Sequence, residues 1–306
     1  MAYDHLGAMA VFARVVDAGS FSRAAEALGL SKSAVSKQVA RLEDRLGARL
    51  LNRTTRKLSL TEAGAAFHAG CRQMLAEAED AEAAVGHLAQ APRGTLHVNA
   101  PMTFGQQHVA PALPEFMARY PELDVNLQLN DRTVDLVAEG FDVAVRIGRL
   151  ADSSLVARRL APQNTAVVAA PEYLDRHGRP EHPQELDRHA CLLYSYLASG
   201  PVWHFRGRDG PVRVPVAGRL EANNGDVLLA AAKGGAGIAR LPTFICGDAV
   251  RAGELERLLP GWVDTADAAV YAVYPASRQV SPKLRVFIDF LAARFGPAPY
   301  WDRGLA

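Results

Sequence analysis

Apolar residues recur with a helical period in the first fifty positions, and later with the rhythm of strands alternating with helices. Between residues 5 and 18 they fall at Leu6, Met9, Phe12, Ala13 and Val16, which predicts a helix. Gly19-Ser20 ends that run, and Ser20 or Ser22 is placed to cap a second, short helix carrying Ala24, Ala25 and Leu28 and closed by Gly29. Ser31 caps a third, with Ala34, Val35, Val39, Leu42 and Leu46 on one face and Gly47 at its end. The segment "RLLNRTTRKLSL", residues 49–60, puts strand-compatible flanks around a basic polar tip and reads as a short hairpin. Thr61 then caps a long helix over about 62–90, rich in alanine and carrying Phe67, Met74, Leu75, Val85 and Leu88. "APRG" at 91–94 breaks it and acts as a linker.

From residue 95 the pattern changes. "TLHVNA", "DVNLQLN", "FDVAVRIG", "QNTAVVAAP", "VPVAGRLEAN", "GIARLP" and "AVYAVYP" read as strands. "FGQQHVAPALPEFMARYP", "DRTVDLVAEG", residues 171–177, "GDVLLAAAKG" and "SPKLRVFIDFLAARFG" read as helices. Strands separated by helices of this length predict parallel βαβ units. The chain of 306 residues suggests two or three domains, and 49% hydrophobic residues supply more than one core.

A net charge of +1 says nothing about partners, but its distribution does. Residues 20–60 carry nine basic side chains against three acidic ones, a local net of +6, whereas 61–90 carry one against five, a local net of −4. A basic block in a near-neutral chain is an electrostatic footprint for an anionic partner. Two short helices joined by a tight glycine turn form a helix-turn-helix, whose second helix can lie in the DNA major groove. Its N-terminal end, Ser31-Lys32-Ser33-Ala34-Val35-Ser36-Lys37, offers small hydroxyls and lysines, suited to base edges and phosphates. The hairpin tip, Arg53-Thr54-Thr55-Arg56-Lys57, suits adjacent backbone or the minor groove. The bland alternative is a solvated face on a helical hairpin. The long helix needs more burial than a small winged helix gives, and a second copy of it would supply that.

The stretch "FARVVDAGSFSRAAEALGLSKSAVSKQVARLEDRLGARLLNRTTRKLSLTEAG", residues 12–64, resembles the N-terminal motif of LysR-type transcriptional regulators nearly position by position. The likeness extends over the whole chain and is strongest in 5–64. Residues 113–160 resemble the regulatory domain of a large subgroup that includes regulators of aromatic or organic acid metabolism. The resemblance implies an α/β protein with an all-α, winged-helix N-terminal domain. It has a winged helix-turn-helix over 1–61, with the helix-turn-helix at about 21–40, and a linker and dimerisation helix over 62–91. A two-lobed effector domain of periplasmic-binding-protein type covers 92–306, with lobe I at about 92–162 and 267–306 and lobe II at about 163–266. It puts Ser31, Lys32, Ser33, Ser36, Lys37 and Arg41 on the DNA-reading helix and Arg53, Thr54, Thr55 and Arg56 in the wing. Position 32, often Gln in the family, is Lys here, which shifts that contact toward phosphate. The implied partners are double-stranded DNA, a small-molecule effector, further copies of the chain in a homodimer or homotetramer, and RNA polymerase. No cofactor, metal or membrane is expected.

Ligands of open α/β sheets bind beyond the carboxyl ends of the strands. Three such ends are Met102-Thr103-Phe104, Arg146-Ile147 and Asn223-Asn224, where free helix N–H groups and a hydroxyl suit a carboxylate. Thr103 and Asn224 serve equally well as plain helix caps. Tyr194, Tyr196, His204 and Phe205 line the second lobe or belong to its core. Competing signals are weak. "KGGAGIAR" lacks the Lys-Ser/Thr ending of a phosphate loop, and His177, His182, His189 and Cys191 do not have zinc spacing. No nucleophile elbow appears, so the chain reads as a non-enzyme, with an enzyme or sensor fused to a DNA-binding domain as the alternative. Three widely spaced cysteines, no basic leader and no long apolar run point to reduced thiols in a cytoplasmic protein.

Overall fold

The computed structural model describes residues 6–53, 58–85, 92–132, 134–150, 153–196, 200–208, 210–262, 268–276 and 280–305. The chain divides into two compact units. One holds residues 1–90 with 134–141 and 277–282, the other 91–133, 142–276 and 283–306.

The first unit begins with three helices, α1 (Leu6–Ala18), α2 (Phe21–Leu28) and α3 (Lys32–Leu46). Ser20 caps α2 by accepting from Ser22 N–H, and Ser31 caps α3 by accepting from Ala34 N–H. Between them Gly29 sits at φ 63°, a left-handed turn that a side chain would strain, and its N–H closes onto Ala25 and Glu26. Val11, Phe12, Ala13 and Val15 of α1 meet Ala24, Ala25, Val35, Val39 and Leu42 in one core. The buried stripe of α1 is turned from the expected one: Leu6 is 42% exposed, while Val11 and Val15 are buried. Strands β1 (Leu51–Arg53) and β2 (Leu58–Leu60) form the antiparallel hairpin. Helix α4 (Glu62–Val85) follows, with Thr61 Oγ1 accepting from Gly64 N–H at 2.9 Å. Residues 86–90 of the expected helix and Ala91 of the linker lie outside the described residues. Arg72 of α4 donates to the carbonyls of Glu139 and Gly140, which belong to the same unit.

Glu43 is a charged residue that folding buries. Its Oε1 accepts from the backbone N–H of Leu50 at 2.8 Å and Leu51 at 3.1 Å, so α3 holds the entry to the hairpin. Two N–H groups that would otherwise be orphaned on entering the core are satisfied by one carboxylate.

The second unit is a two-lobed α/β structure. β3 (Gly94–Ala100) leads into α5 (Met102–Phe104), a π turn at Gly105–Val109, a 3-10 turn at Ala110–Ala112, and α6 (Leu113–Arg119). The sequence predicts one helix here. Pro111 and Pro114 cannot donate the bonds a regular helix needs, and the path stays helical only by changing its pitch. β4 (Leu123–Leu129), β5 (Val143–Gly148) and β6 (Leu155–Pro162) come next. The helix expected at 131–140 is absent among the described residues. Asp135 Oδ1 accepts from Val137 and Ala138 N–H at 3.0 Å each, and turns occupy 136–140.

The second lobe carries β7 (Thr165–Ala169), α7 (Pro171–His177), β8 (Cys191–Tyr194), β9 (Val202–Gly207), β10 (Gly210–Pro215), β11 (Glu221–Ala222), α8 (Gly225–Lys233), β12 (Ile238–Pro242), α9 (Thr243–Arg251) and β13 (Glu256–Leu258). The chain then returns to the first lobe as β14 (Ala269–Pro275) and ends in α10 (Pro282–Phe295) and a 3-10 turn at Tyr300–Asp302. The strand expected at "VPVAGRLEAN" is divided between the end of β10 and β11.

The two five-stranded sheets run β4-β3-β5-β14-β6 and β11-β8-β12-β7-β13. β3 pairs parallel with β4 and β5, as expected, but β14 is antiparallel to both β5 and β6. The second sheet is mixed as well. The lobes are joined by two crossings of the chain, and the crossings touch: Gln163 N–H donates to Ala268 O at 3.1 Å. Trp203, Phe205, Tyr173 and Leu186 fill the core of the second lobe.

Candidate DNA-reading face and effector cleft

Helix α3 buries Val35, Val39 and Leu42 and turns the opposite side outward. Lys32, Ser33, Lys37 and Arg41 are exposed, and Ser36 is half-buried between them. Ser33, Lys37 and Arg41 are four residues apart and share one face. The Ser31 hydroxyl is partly committed as the helix cap, and it shares a 3.0 Å hydrogen bond with the Ser33 hydroxyl. The structure thus brings Ser33, Lys37 and Arg41 onto one outward face, with Ser31 and Lys32 at the start of the helix and Ser36 beside them. The side chain of Arg53 and all of Thr54, Thr55 and Arg56 lie outside the described residues. The base of the hairpin is held by Asn52 Nδ2 donating to Leu60 O.

The expected effector residues separate into distinct environments. Met102 is exposed, and its backbone N–H donates to Asp131 Oδ1 at 2.9 Å. Thr103 is buried, and its hydroxyl donates to Asp226 Oδ2 at 2.7 Å, while Gln107 Nε2 donates to the other oxygen at 2.8 Å. Asn224 caps α8, accepting from Asp226 and Val227 N–H. Asn223 reaches the hydroxyl of Tyr196, whose ring stands edge-on to Tyr194 at 6.0 Å. Burial first, then the charge of Asp131 and the neighbouring Tyr196, pushes the Tyr194 phenol up to about 12. These contacts form two polar groups, Met102 with Asp131, and Thr103, Gln107, Asp226 and Asn224, with Asn223, Tyr196 and Tyr194 beside the second. A second polar set lies at the strand ends, where Arg146 Nη1 donates to Asn99 Oδ1 at 2.6 Å and Asn99 Nδ2 to Gln128 O. Ile147, half-buried next to Arg146, is paired with Val270 of β14.

Two expected positions point elsewhere. Phe104 is fully buried, its ring packed on Phe244, Phe295 and Trp301. A side chain adjacent to Thr103 on a helix faces a different direction, and here that direction is the core. His204 sits on the outer side of β9, opposite Arg213 in register, between the buried Trp203 and Phe205. Sequence reasoning missed Gln107, Asp131 and Asp226. Gln107 stands between Gln106 and His108, so nothing in the local pattern singled it out. Asp226 stood next to the predicted Asn224 cap, and its partners lie more than a hundred positions away.

His108 was also missed. Its Nε2–H donates to Phe244 O at 3.0 Å, and its Nδ1 accepts from the Tyr300 hydroxyl at 2.7 Å, linking the π turn, α9 and the C-terminal turn. Burial lowers its pKa. The histidines that had the wrong spacing for zinc pack on aromatic rings, His177 and His189 on the same one. His177 stacks on Tyr173, His182 stands edge-on to Trp262, and His189 reaches the Tyr173 hydroxyl. Among the described residues no cluster of His, Cys, Asp or Glu has the size to hold a metal ion. All three cysteines are buried, and burial pushes their thiols up to about 11 for Cys71 and about 12 for Cys191 and Cys246, which keeps them protonated. Among the described residues no helix is long and apolar enough to cross a membrane.

A helix-turn-helix with a hairpin wing, followed by a two-lobed α/β domain whose lobes meet through polar side chains, is the architecture of a ligand-responsive regulator. Residues 6–65 match the family described as "Bacterial regulatory helix-turn-helix protein, lysR family", and residues 89–296 match the "LysR substrate binding domain". The chain belongs to the LysR-type transcriptional regulators. It is 40% identical over 288 residues to an HTH-type transcriptional regulator of Xanthomonas campestris pv. campestris, covering 93% of this chain and 83% of that one. The solved structure of CrgA, a LysR-type transcriptional regulator from Neisseria meningitidis, is 37% identical with a TM-score of 0.62, covering 95% of this chain and 98% of the other. The full-length Vibrio cholerae virulence activator AphB is 29% identical with a TM-score of 0.59, covering 96% and 99%.

Proposed function

We propose that this regulator binds a two-fold operator through the outward face of α3 and the hairpin wing, and that an organic or aromatic carboxylate in the cleft of its effector domain modulates that binding. The supporting observation is the α3 surface. Ser31, Lys32, Ser33, Ser36, Lys37 and Arg41 stand together while Val35, Val39 and Leu42 hold the helix from behind. Hydroxyls and ammonium groups at that end of a recognition helix suit base edges and phosphates. Arg53, Thr54, Thr55 and Arg56 are assigned to the adjacent backbone or minor groove. Residues 1–61 are assigned to DNA, 62–91 to pairing with a second copy, and 92–306 to the effector. Met102, Thr103, Tyr196, Asn223 and Asn224, with Arg146 and Ile147 at the strand ends, are assigned to the cleft; Phe104 supports it from the core, and His204 flanks the second lobe. Homodimers or homotetramers in the cytoplasm, contacting RNA polymerase on the promoter, complete the reading.

An electrophoretic shift assay on the intergenic DNA beside its own gene tests it. Sequence-dependent retardation that weakens steeply with salt is expected. Retardation equal to that of unrelated DNA would remove the operator-reading role.

A further inference from the structure

The Thr103 hydroxyl, expected to receive an effector carboxylate, already holds one, and Gln107 holds it too. Thr103 Oγ1 and Gln107 Nε2 project from one lobe, four residues apart, and each donates to a different oxygen of Asp226 on α8 of the other lobe, at 2.7 and 2.8 Å. A hydroxyl and an amide converging on both oxygens of one carboxylate is a bidentate carboxylate site. The acid that fills it is firmly placed. Asn224 caps the helix, and Gly225 packs so closely on α9 that a Cβ would come within 2.4 Å of Ile245 Cδ1. Exposed apolar groups flank the two sides of the contact, Met102 next to Thr103 and Val227 next to Asp226.

We infer that Asp226 is an internal ligand that an effector carboxylate must displace. The inference rests on the carboxylate reading above and deepens it. An incoming carboxylate takes the Thr103 hydroxyl and the Gln107 amide. Asp226 is released to solvent, and one tie between the lobes is lost, while His108 bonded to Phe244 O and Phe104 packed on Phe244 still join them. Effector binding and this tie are then mutually exclusive, which couples ligand to the placement of α8 against α5 by competition for the same two donors. The ligand class that works this switch has one carboxylate on an apolar or aromatic body. An uncharged analogue of the same shape gains little, because it makes weaker bonds to the donors than the acid it must replace.

Calorimetric titration of the full-length chain with benzoate, and with benzamide as the uncharged analogue, tests the competition. Asp226→Ala is expected to tighten benzoate about tenfold, since one set of charge-assisted bonds no longer has to be given up, with benzamide the weaker ligand in both proteins. Asp226→Asn, which keeps the shape and one acceptor, falls between. Benzoate affinity that is unchanged or weaker in both variants overturns the proposal. A ligand-free readout separates the tie from the effector reading. Thr103→Val and Asp226→Asn are combined, and unfolding of the effector domain is followed by tryptophan fluorescence. The double variant's loss in Tm is expected to be smaller than the two single losses together by about 2 °C or more. Strict additivity overturns the tie. Non-additivity without any binding of benzoate or acetate overturns the competition through the carboxylate reading and leaves the interlobe bond standing.

Discussion

The polar face of α3 spans eleven positions, 31 to 41, and its supporting caps and core lie within the same unit. The contact that closes the cleft joins side chains 123 and 119 positions apart. The first surface is fixed by local rules: serine caps, a left-handed glycine turn and an apolar stripe of helical period. The second is fixed by where two sheets and two chain crossings bring distant helices. A locally encoded face behaves as a rigid template. A contact made of two polar bonds between lobes can be exchanged for bonds to a ligand.

The largest expected effect strikes the rigid side. Glu43→Ala leaves the buried N–H groups of Leu50 and Leu51 without their acceptor, which costs about 2–5 kcal/mol of N-terminal unit stability. All three tryptophans lie in the second unit, at 203, 262 and 301, so fluorescence reports on that unit while circular dichroism also follows α1 to α4. Denaturation should show the helical transition moving to lower denaturant with the fluorescence transition in place. A common shift of both would mean that the two units do not unfold separately.

A smaller effect separates capping from recognition in the cleft. Asn224→Ala removes the acceptor for Asp226 and Val227 N–H and is expected to cost about 1 kcal/mol of effector-domain stability by fluorescence-monitored denaturation. It should weaken benzoate less than Thr103→Val does, because Asn224 acts on the helix and Thr103 on the ligand. An inverse ranking would put Asn224 in direct contact with the effector.

The contrast also explains what was legible in the sequence. Ser20, Gly29, Ser31, Gly47 and Thr61 announced the N-terminal unit, because each signal acts within four residues of its position. The exposed face of α3 followed from the same periodicity. Glu43 did not, since its partners were backbone groups seven and eight residues on and its charge suggested the surface. In the second unit, β3, β5, β7, α8, β14 and α10 read correctly because apolar runs and glycine stops marked them. β6 escaped notice because it is a mostly exposed strand without alternation. Residues 131–140 had helical spacing, but Asp135 bonds its own backbone instead. The partners of Thr103 and Met102 were carboxylates on other elements, which no local pattern specifies.

The smallest effect is one of pH. Burial holds His108 below its usual value of 6.5, and burial lowers His189 as well. On acidification the unfolded chain takes up these protons first, so effector-domain stability falls as pH drops below about 6.5. His108→Gln should flatten the dependence of the fluorescence-monitored Tm on pH between about 6.5 and 5, leaving the His189 share. An unchanged slope would show that His108 does not titrate differently in the folded and unfolded chain.

The claim that the α3 face reads DNA is tested most directly by the salt dependence of operator binding for the full-length chain and its Lys37→Ala variant. Removing one phosphate or base-edge cation should weaken binding at every salt concentration and reduce the slope of log affinity against log salt by about 1. Equal affinity and equal slope in the two proteins would contradict the account.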